Sequence, residues 1–165
     1  MGVIIIYFSL TGNTQKTAEI IKEYLESKGY EVSLFRVETE ERYSFLKNCL
    51  DALRKRIVKV KNVPSLDYNP VFIGSPVWAF DITPAIRSFI EKNDFSGKKV
   101  FLFTTYGSGA GKGKAMESFK NLIKKKGGEV IGTLEVKGKN VENEKLRITG
   151  VVEKCLKEYQ QTERH

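Results

Sequence analysis

Ser9, Thr11 and Thr14 place three hydroxyls within one short stretch, Ser9-Leu10-Thr11-Gly12-Asn13-Thr14. Hydroxyls at this spacing can all donate hydrogen bonds to one anion, and Gly12 permits the tight turn that would bring them round it. The stretch follows an apolar run, Val3 to Phe8, and leads into a helical pattern from Gln15 to Lys28. The first N–H groups of a helix have no partner within it, and the helix dipole favours negative charge at that end. A terminal phosphate monoester suits such a place. The same six residues also make an ordinary loop and helix cap, so only the rest of the chain can give them meaning.

Two further stretches carry chemistry of another kind. Pro76-Val77-Trp78-Ala79-Phe80-Asp81 holds the only tryptophan, and Tyr106-Gly107-Ser108-Gly109-Ala110-Gly111-Lys112-Gly113 joins an aromatic ring to four glycines. A lone tryptophan commonly packs in a core or an interface, but in a loop at a ligand-binding edge core packing has least claim on it. Glycines after Tyr106 let backbone amides approach a flat heterocycle, although a mobile surface loop would read the same way. The three stretches together offer a phosphate cradle, aromatic faces and an exposed amide edge. That combination describes a site for a phosphorylated planar cofactor.

The elements that must position these loops follow from periodicity. Val3 to Phe8 is continuously apolar, as in a strand buried on both faces of a parallel sheet. The next helix puts Ala18, Ile21 and Leu25 on one face and stops at Gly29. Tyr30 to Val37 alternates as a second strand nearer an edge. Glu40 to Arg56 is expected to be helical with Phe45, Leu46, Cys49, Leu50 and Leu53 inward, and Ile57 to Tyr68 is a basic connector without a regular element. Pro70 to Ser75 reads as the third strand, followed by the loop from Pro76 to Asp81. A helix from Thr83 to Lys92 comes next, with Pro84 in its first turn and Ile82, Ile86, Phe89 and Ile90 inward. Lys98 to Thr105 is the fourth strand. A helix through Met116, Phe119 and Ile123 then ends at Gly127-Gly128, Glu129 to Val136 is the fifth strand, and Glu144 to Tyr159 closes the chain as a helix. Strands alternating with helices imply an α/β domain, a parallel five-stranded sheet with helices on both faces. Ligands of such sheets sit beyond the carboxyl ends of the strands, where the strand order reverses. All three loops belong to that edge and are expected to converge.

Composition narrows the function classes. The chain has 165 residues and is expected to form one domain, residues 1–165. No apolar run is long enough to span a bilayer, so a cytoplasmic protein with no membrane partner is expected. The net charge of +8 raises nucleic acid as a ligand. Its lysines and arginines are scattered over several elements without an aromatic platform or recognition helix, which argues against that class. Cys49 and Cys155 lie at core spacing and read as buried filler, with no disulfide framework or metal site between them. The single histidine is the last residue, which excludes a histidine triad or histidine metal centre. Other nucleotide motifs fail: Lys112 is followed by Gly113 where a P-loop needs Ser or Thr, and no G-x-G-x-x-G occurs at Gly107 or Gly109.

The chain resembles the flavodoxin-like proteins, a family that binds FMN. The resemblance rests on the strand VIIIYF with SLTGNT, close to the family's S/T-x-T-G-N-T phosphate motif, and on GSPVWAFDITPAIRSF from Gly74 to Phe89. It implies a three-layer α/β/α sandwich with strand order 2-1-3-4-5. It further implies that Ser9, Leu10, Thr11, Gly12, Asn13 and Thr14 hold the FMN phosphate. Pro76, Val77, Trp78, Ala79 and Phe80 would form the loop against the inner face and dimethylbenzene side of the ring, and Thr105, Tyr106, Gly107, Ser108 and Gly109 would meet its pyrimidine edge. No side chain need act as acid, base or nucleophile, since the flavin carries the electrons. The family resemblance implies an electron shuttle between redox partner proteins, acting as a monomer or weak homodimer; the alternative is an NAD(P)H-dependent reductase of quinones or other small acceptors. The chain departs from the family in three ways. It is basic where family carriers are acidic around the flavin, so its partners are expected to present acidic docking surfaces. Its third loop carries lysines, which favour a reduced, anionic flavin. Ala79 stands where the family often has a glycine whose peptide flips towards flavin N5, and alanine there is expected to disfavour the half-reduced state.

Overall fold

The computed structural model describes residues 2–40, 54–55 and 57–162. The helix expected from Glu40 to Arg56, with Cys49 on its inner stripe, lies almost wholly outside the described residues, as does His165. The described chain runs β1 (Gly2–Tyr7), α1 (Asn13–Ser27), β2 (Glu31–Arg36), β3 (Val71–Trp78), β4 (Asp81–Ile82), α2 (Pro84–Glu91), β5 (Lys99–Tyr106), α3 (Lys112–Lys125), β6 (Glu129–Lys137) and α4 (Lys145–Thr162). The main sheet is parallel with order β2-β1-β3-β5-β6, the five-strand order expected from sequence, and β4 pairs antiparallel with the end of β3.

Alternation along the central strands decides the layers. Val3, Ile5 and Tyr7 face one side with Phe101 and Phe103, packed under Ala18, Ile21 and Leu25 of α1 and Ile148, Val152 and Cys155 of α4. Ile4, Ile6, Ile73 and Leu102 face the other side, under Ile86, Phe89 and Ile90 of α2 and Met116, Phe119 and Ile123 of α3. Strands apolar at every position are therefore buried on both faces, and the helices contribute one stripe each. The isolated Thr39–Val60 bridge is the regular feature of the connector after β2 among the described residues.

One expectation changes. Pro76 to Asp81 was expected as a loop, but β3 continues through Pro76 and Val77 to Trp78 and turns straight back as a hairpin, with Val77 opposite Ile82 and Trp78 opposite Asp81. Proline is tolerated in this central strand because of where its missing N–H would point. The Gly74 carbonyl accepts from Phe8 on the β1 side, and β1 stops there, so two residues later Pro76 faces a side with no strand left to pair. The turn itself is Ala79-Phe80, with φ of 46° and 66°. Two positive φ values are the mark of the tight hairpin turn whose twist matches its strands, a geometry usually supplied by Asn-Gly or Asp-Gly. Ala-Phe gives no such signal.

Candidate functional site

The first loop is built on the N-terminus of α1. Gly12 sits at φ 91° as the residue preceding the helix, and no side chain caps the first turn. Nor is there a carboxylate in that turn, so the outward N–H groups face the loop without competition from an acidic side chain. Ser9 is buried, and its Oγ accepts from the Gly12 N–H at 3.1 Å, which tightens the turn. Thr11 Oγ1 accepts from Asn13 Nδ2 at 3.4 Å on the exposed side, and Leu10 is exposed beside it. Thr14 is 1% exposed, and its hydroxyl shares a hydrogen bond with Thr105 Oγ1 at 2.7 Å, which ties α1 to the end of β5.

Arg36, at the end of β2, was not singled out from sequence. Its Nη2 donates to the Ser9 carbonyl at 2.8 Å, anchoring the loop and bringing a cation to it. Arg36 is the register partner of Tyr7, two residues before Ser9, and only that register brings it to the loop. The buried Tyr7 phenol is raised above its ordinary value by desolvation, with Arg36 opposing and Glu19 reinforcing the shift.

The second loop is the β3–β4 hairpin. Trp78 is 6% exposed and packs edge-on against Phe8 at 5.6 Å between centroids, so core packing does claim this tryptophan. The exposed aromatic is Phe80, at 51%. Val77 is half-buried, and Ala79 already occupies the left-handed region, so its conformational cost is present in this structure. Pro76 pairs with Thr105 of β5.

The third loop leaves β5 through Thr105 and Tyr106 and reaches α3 through Gly107, Ser108, Gly109, Ala110 and Gly111. Tyr106 is half-buried, with the Lys112 ammonium 4.7 Å from its ring centre. Gly107 and Ser108 are exposed, and Gly109 takes φ 84° against the Tyr106 ring. Gly111 takes φ 72°, and a Cβ there would collide with the Phe80 ring. Gly111, which lies in the same glycine-rich stretch but was not among the residues expected to meet the flavin, is the one that touches the hairpin.

The three loops meet. Thr14 bonds Thr105, Phe8 packs on Trp78, and Phe80 lies on Gly111. Their meeting place is the carboxyl edge of β1, β3 and β5, where strand order reverses between β1 and β3. An uncapped helix start with Arg36 nearby suits a dianionic phosphate, and exposed Leu10 and Phe80 with half-buried Tyr106 suit an apolar planar ring. Among the described residues no group of histidine, cysteine and carboxylate side chains could hold a metal ion.

Comparison with known proteins agrees with this geometry. The flavodoxin family model matches residues 5–150. A flavoprotein in complex with FMN from Lactobacillus acidophilus NCFM superposes with a TM-score of 0.63 at 24% identity, covering 86% of this chain and 97% of that one. Oxidised flavodoxin 2 from Bacillus cereus gives 0.61 at 22%, covering 93% and 99%. A flavodoxin from the domain Archaea gives 0.59 at 21%, covering 94% and 99%. At these identities the likeness is one of fold. No curated protein matches the chain. Because the family match runs from the strand before the first loop to beyond β6, the chain belongs to the flavodoxin family.

Proposed function

We propose that the protein binds FMN at the meeting of its three loops and carries electrons between redox partner proteins, as one cytoplasmic flavodoxin-like domain over residues 1–165. The observation that carries this reading is the convergence of an uncapped α1 N-terminus, the Trp78–Phe80 hairpin and the Tyr106 loop at the β1/β3 switch point. FMN, when bound, supplies the one- and two-electron redox chemistry. The chain's own residues bind and orient it. The N–H groups at the start of α1, with the Thr11 hydroxyl and the Arg36 cation, hold the phosphate, and Ser9 keeps the loop closed through Gly12. Tyr106 and Phe80 offer ring faces, and the backbone of residues 105–109 offers donors and acceptors to a polar ring edge. Thr14 and Thr105 brace the site from below.

Ala79 stands at φ 46°, so the turn that would face the flavin already lies in the left-handed region that alanine disfavours. Anaerobic reduction of the FMN-loaded protein tests the function. A carrier is reduced through a partner reductase and stays oxidised with NADPH alone. Rapid bleaching by NAD(P)H alone would instead assign the reductase class, and colourless protein that takes up no FMN would remove both readings.

A further inference from the structure

The hairpin that carries Trp78, Ala79 and Phe80 ends in Asp81, a carboxylate with 6% exposure on the first residue of a two-residue strand. A buried carboxylate is costly unless its oxygens are fully engaged. Here both are. Oδ1 accepts from the Ile82 N–H at 2.8 Å, and Oδ2 accepts from Arg87 Nη2 at 2.7 Å. Arg87 is itself buried in the first turns of α2, and its Nη2 also donates to Ser118 Oγ of α3 at 3.1 Å. One guanidinium thus ties the hairpin to both helices on that face of the sheet.

The hairpin needs such a tie. Its two turn residues both stand in the left-handed region, which neither alanine nor phenylalanine favours, and a two-residue β4 gives few ladder bonds to hold them there. Phe80 rests on Gly111, which leads directly into α3, the helix that carries Ser118. Holding Asp81 through Arg87 to α3 therefore also keeps the second loop in register with the third. The surrounding polar pairs reinforce this: the Thr83 N–H donates to Ser75 Oγ at 3.0 Å, fixing the exit of the hairpin to β3.

We propose that Asp81, Arg87 and Ser118 are positioning residues for the FMN site, a clamp that holds the strained Ala79-Phe80 turn against the third loop without touching the cofactor. This rests on the FMN reading above. A ring that binds between the second and third loops meets a surface whose shape is fixed before it arrives, and the clamp raises affinity by removing the ordering cost.

The test uses the full chain with the double substitution Asp81→Asn and Arg87→Met, which removes both charges together and leaves no unpaired ion behind. Ser118→Ala is the milder second variant, which leaves the ion pair in place. Two measurements are made on each: amide hydrogen exchange of the FMN-free protein and the dissociation constant for FMN. The expected result for the double variant is exchange at residues 80–83 faster by about tenfold or more, with β1 and β5 unchanged. FMN binding is expected to weaken by about tenfold, with a smaller change in the same direction for Ser118→Ala. Wild-type rates at the hairpin would overturn the clamp, as would exchange quickened equally through β1 and β5, because the pair would then serve the fold at large. Local loosening with unchanged FMN affinity would overturn its role in the site. If wild-type protein itself bound no FMN, the function proposed above would fall, and with it the clamp's role in the site, while hydrogen exchange would still decide whether the clamp holds the turn.

Discussion

Gly111 and Phe80 touch so closely that the glycine is required twice over, by its φ of 72° and by the ring that occupies the place of its Cβ. Gly111→Ala must push Phe80 aside and strain the backbone as well, and it is expected to cost on the order of 1–3 kcal/mol in urea unfolding. Adding Phe80→Ala should recover the steric part but not the backbone part, so the two changes are non-additive. Ala79 gives the opposite expectation. At φ 46° it sits where glycine is unstrained, so Ala79→Gly should stabilise the protein by on the order of 0.5–1 kcal/mol, read as a rise in thermal midpoint. A fall would mean that the turn is not held in the left-handed region in solution.

Among the elements, α1 and β5 are joined by the buried Thr14–Thr105 hydroxyl pair. Thr14→Val strands the Thr105 hydroxyl at 3% exposure and is expected to cost about 1–3 kcal/mol, whereas valine at both positions should be closer to neutral. Between β6 and α4, Cys155 donates to the Ile131 carbonyl at 3.1 Å, and burial, aided by Glu158, pushes its thiol from 9.0 up to about 11. The folded state therefore keeps the proton after the unfolded chain has lost it. The resulting stability is complete below pH 9 and is lost as the pH rises from 9 towards 11. Cys155→Ala should show a shallower alkaline loss than wild type in paired melts, and an equal slope would refute the shift. The elements themselves were legible: continuous apolar runs marked β1, β3 and β5, and the helical stripes of α1 to α4 fell on the buried faces. The hairpin was not. Ala79-Phe80 lacks turn residues, and the contacts that flank the turn, Phe8 on Trp78, Gly111 under Phe80 and Arg87 on Asp81, are made across the fold and leave no local turn signal. Arg36 and the Thr14–Thr105 bond escaped for the same reason, since only the sheet register brings their partners together.

For the molecule as a whole, the net charge of +8 favours docking on acidic surfaces. If the redox partners proposed above dock through acidic surfaces, their complexes should weaken markedly with added salt, chiefly through slower association, and a salt-independent affinity would contradict that docking mode. Lys112 beside Tyr106 and Arg36 beside the first loop place positive charge at two of the loops proposed to hold the flavin. A redox titration should then find the second one-electron potential less negative than that of an acidic flavodoxin, and a very low value would count against the assignment of those lysine and arginine charges. All of this depends on a phosphorylated flavin seated on the α1 N-terminus. The most direct measurement is a titration of the apoprotein with FMN and, separately, with riboflavin, which has the same ring and no phosphate. The predicted result is one FMN per chain, bound at least about 100-fold more tightly than riboflavin, the equivalent of ~2.7 kcal/mol from the phosphate cradle. Equal affinity for the two, or binding of neither, would contradict it.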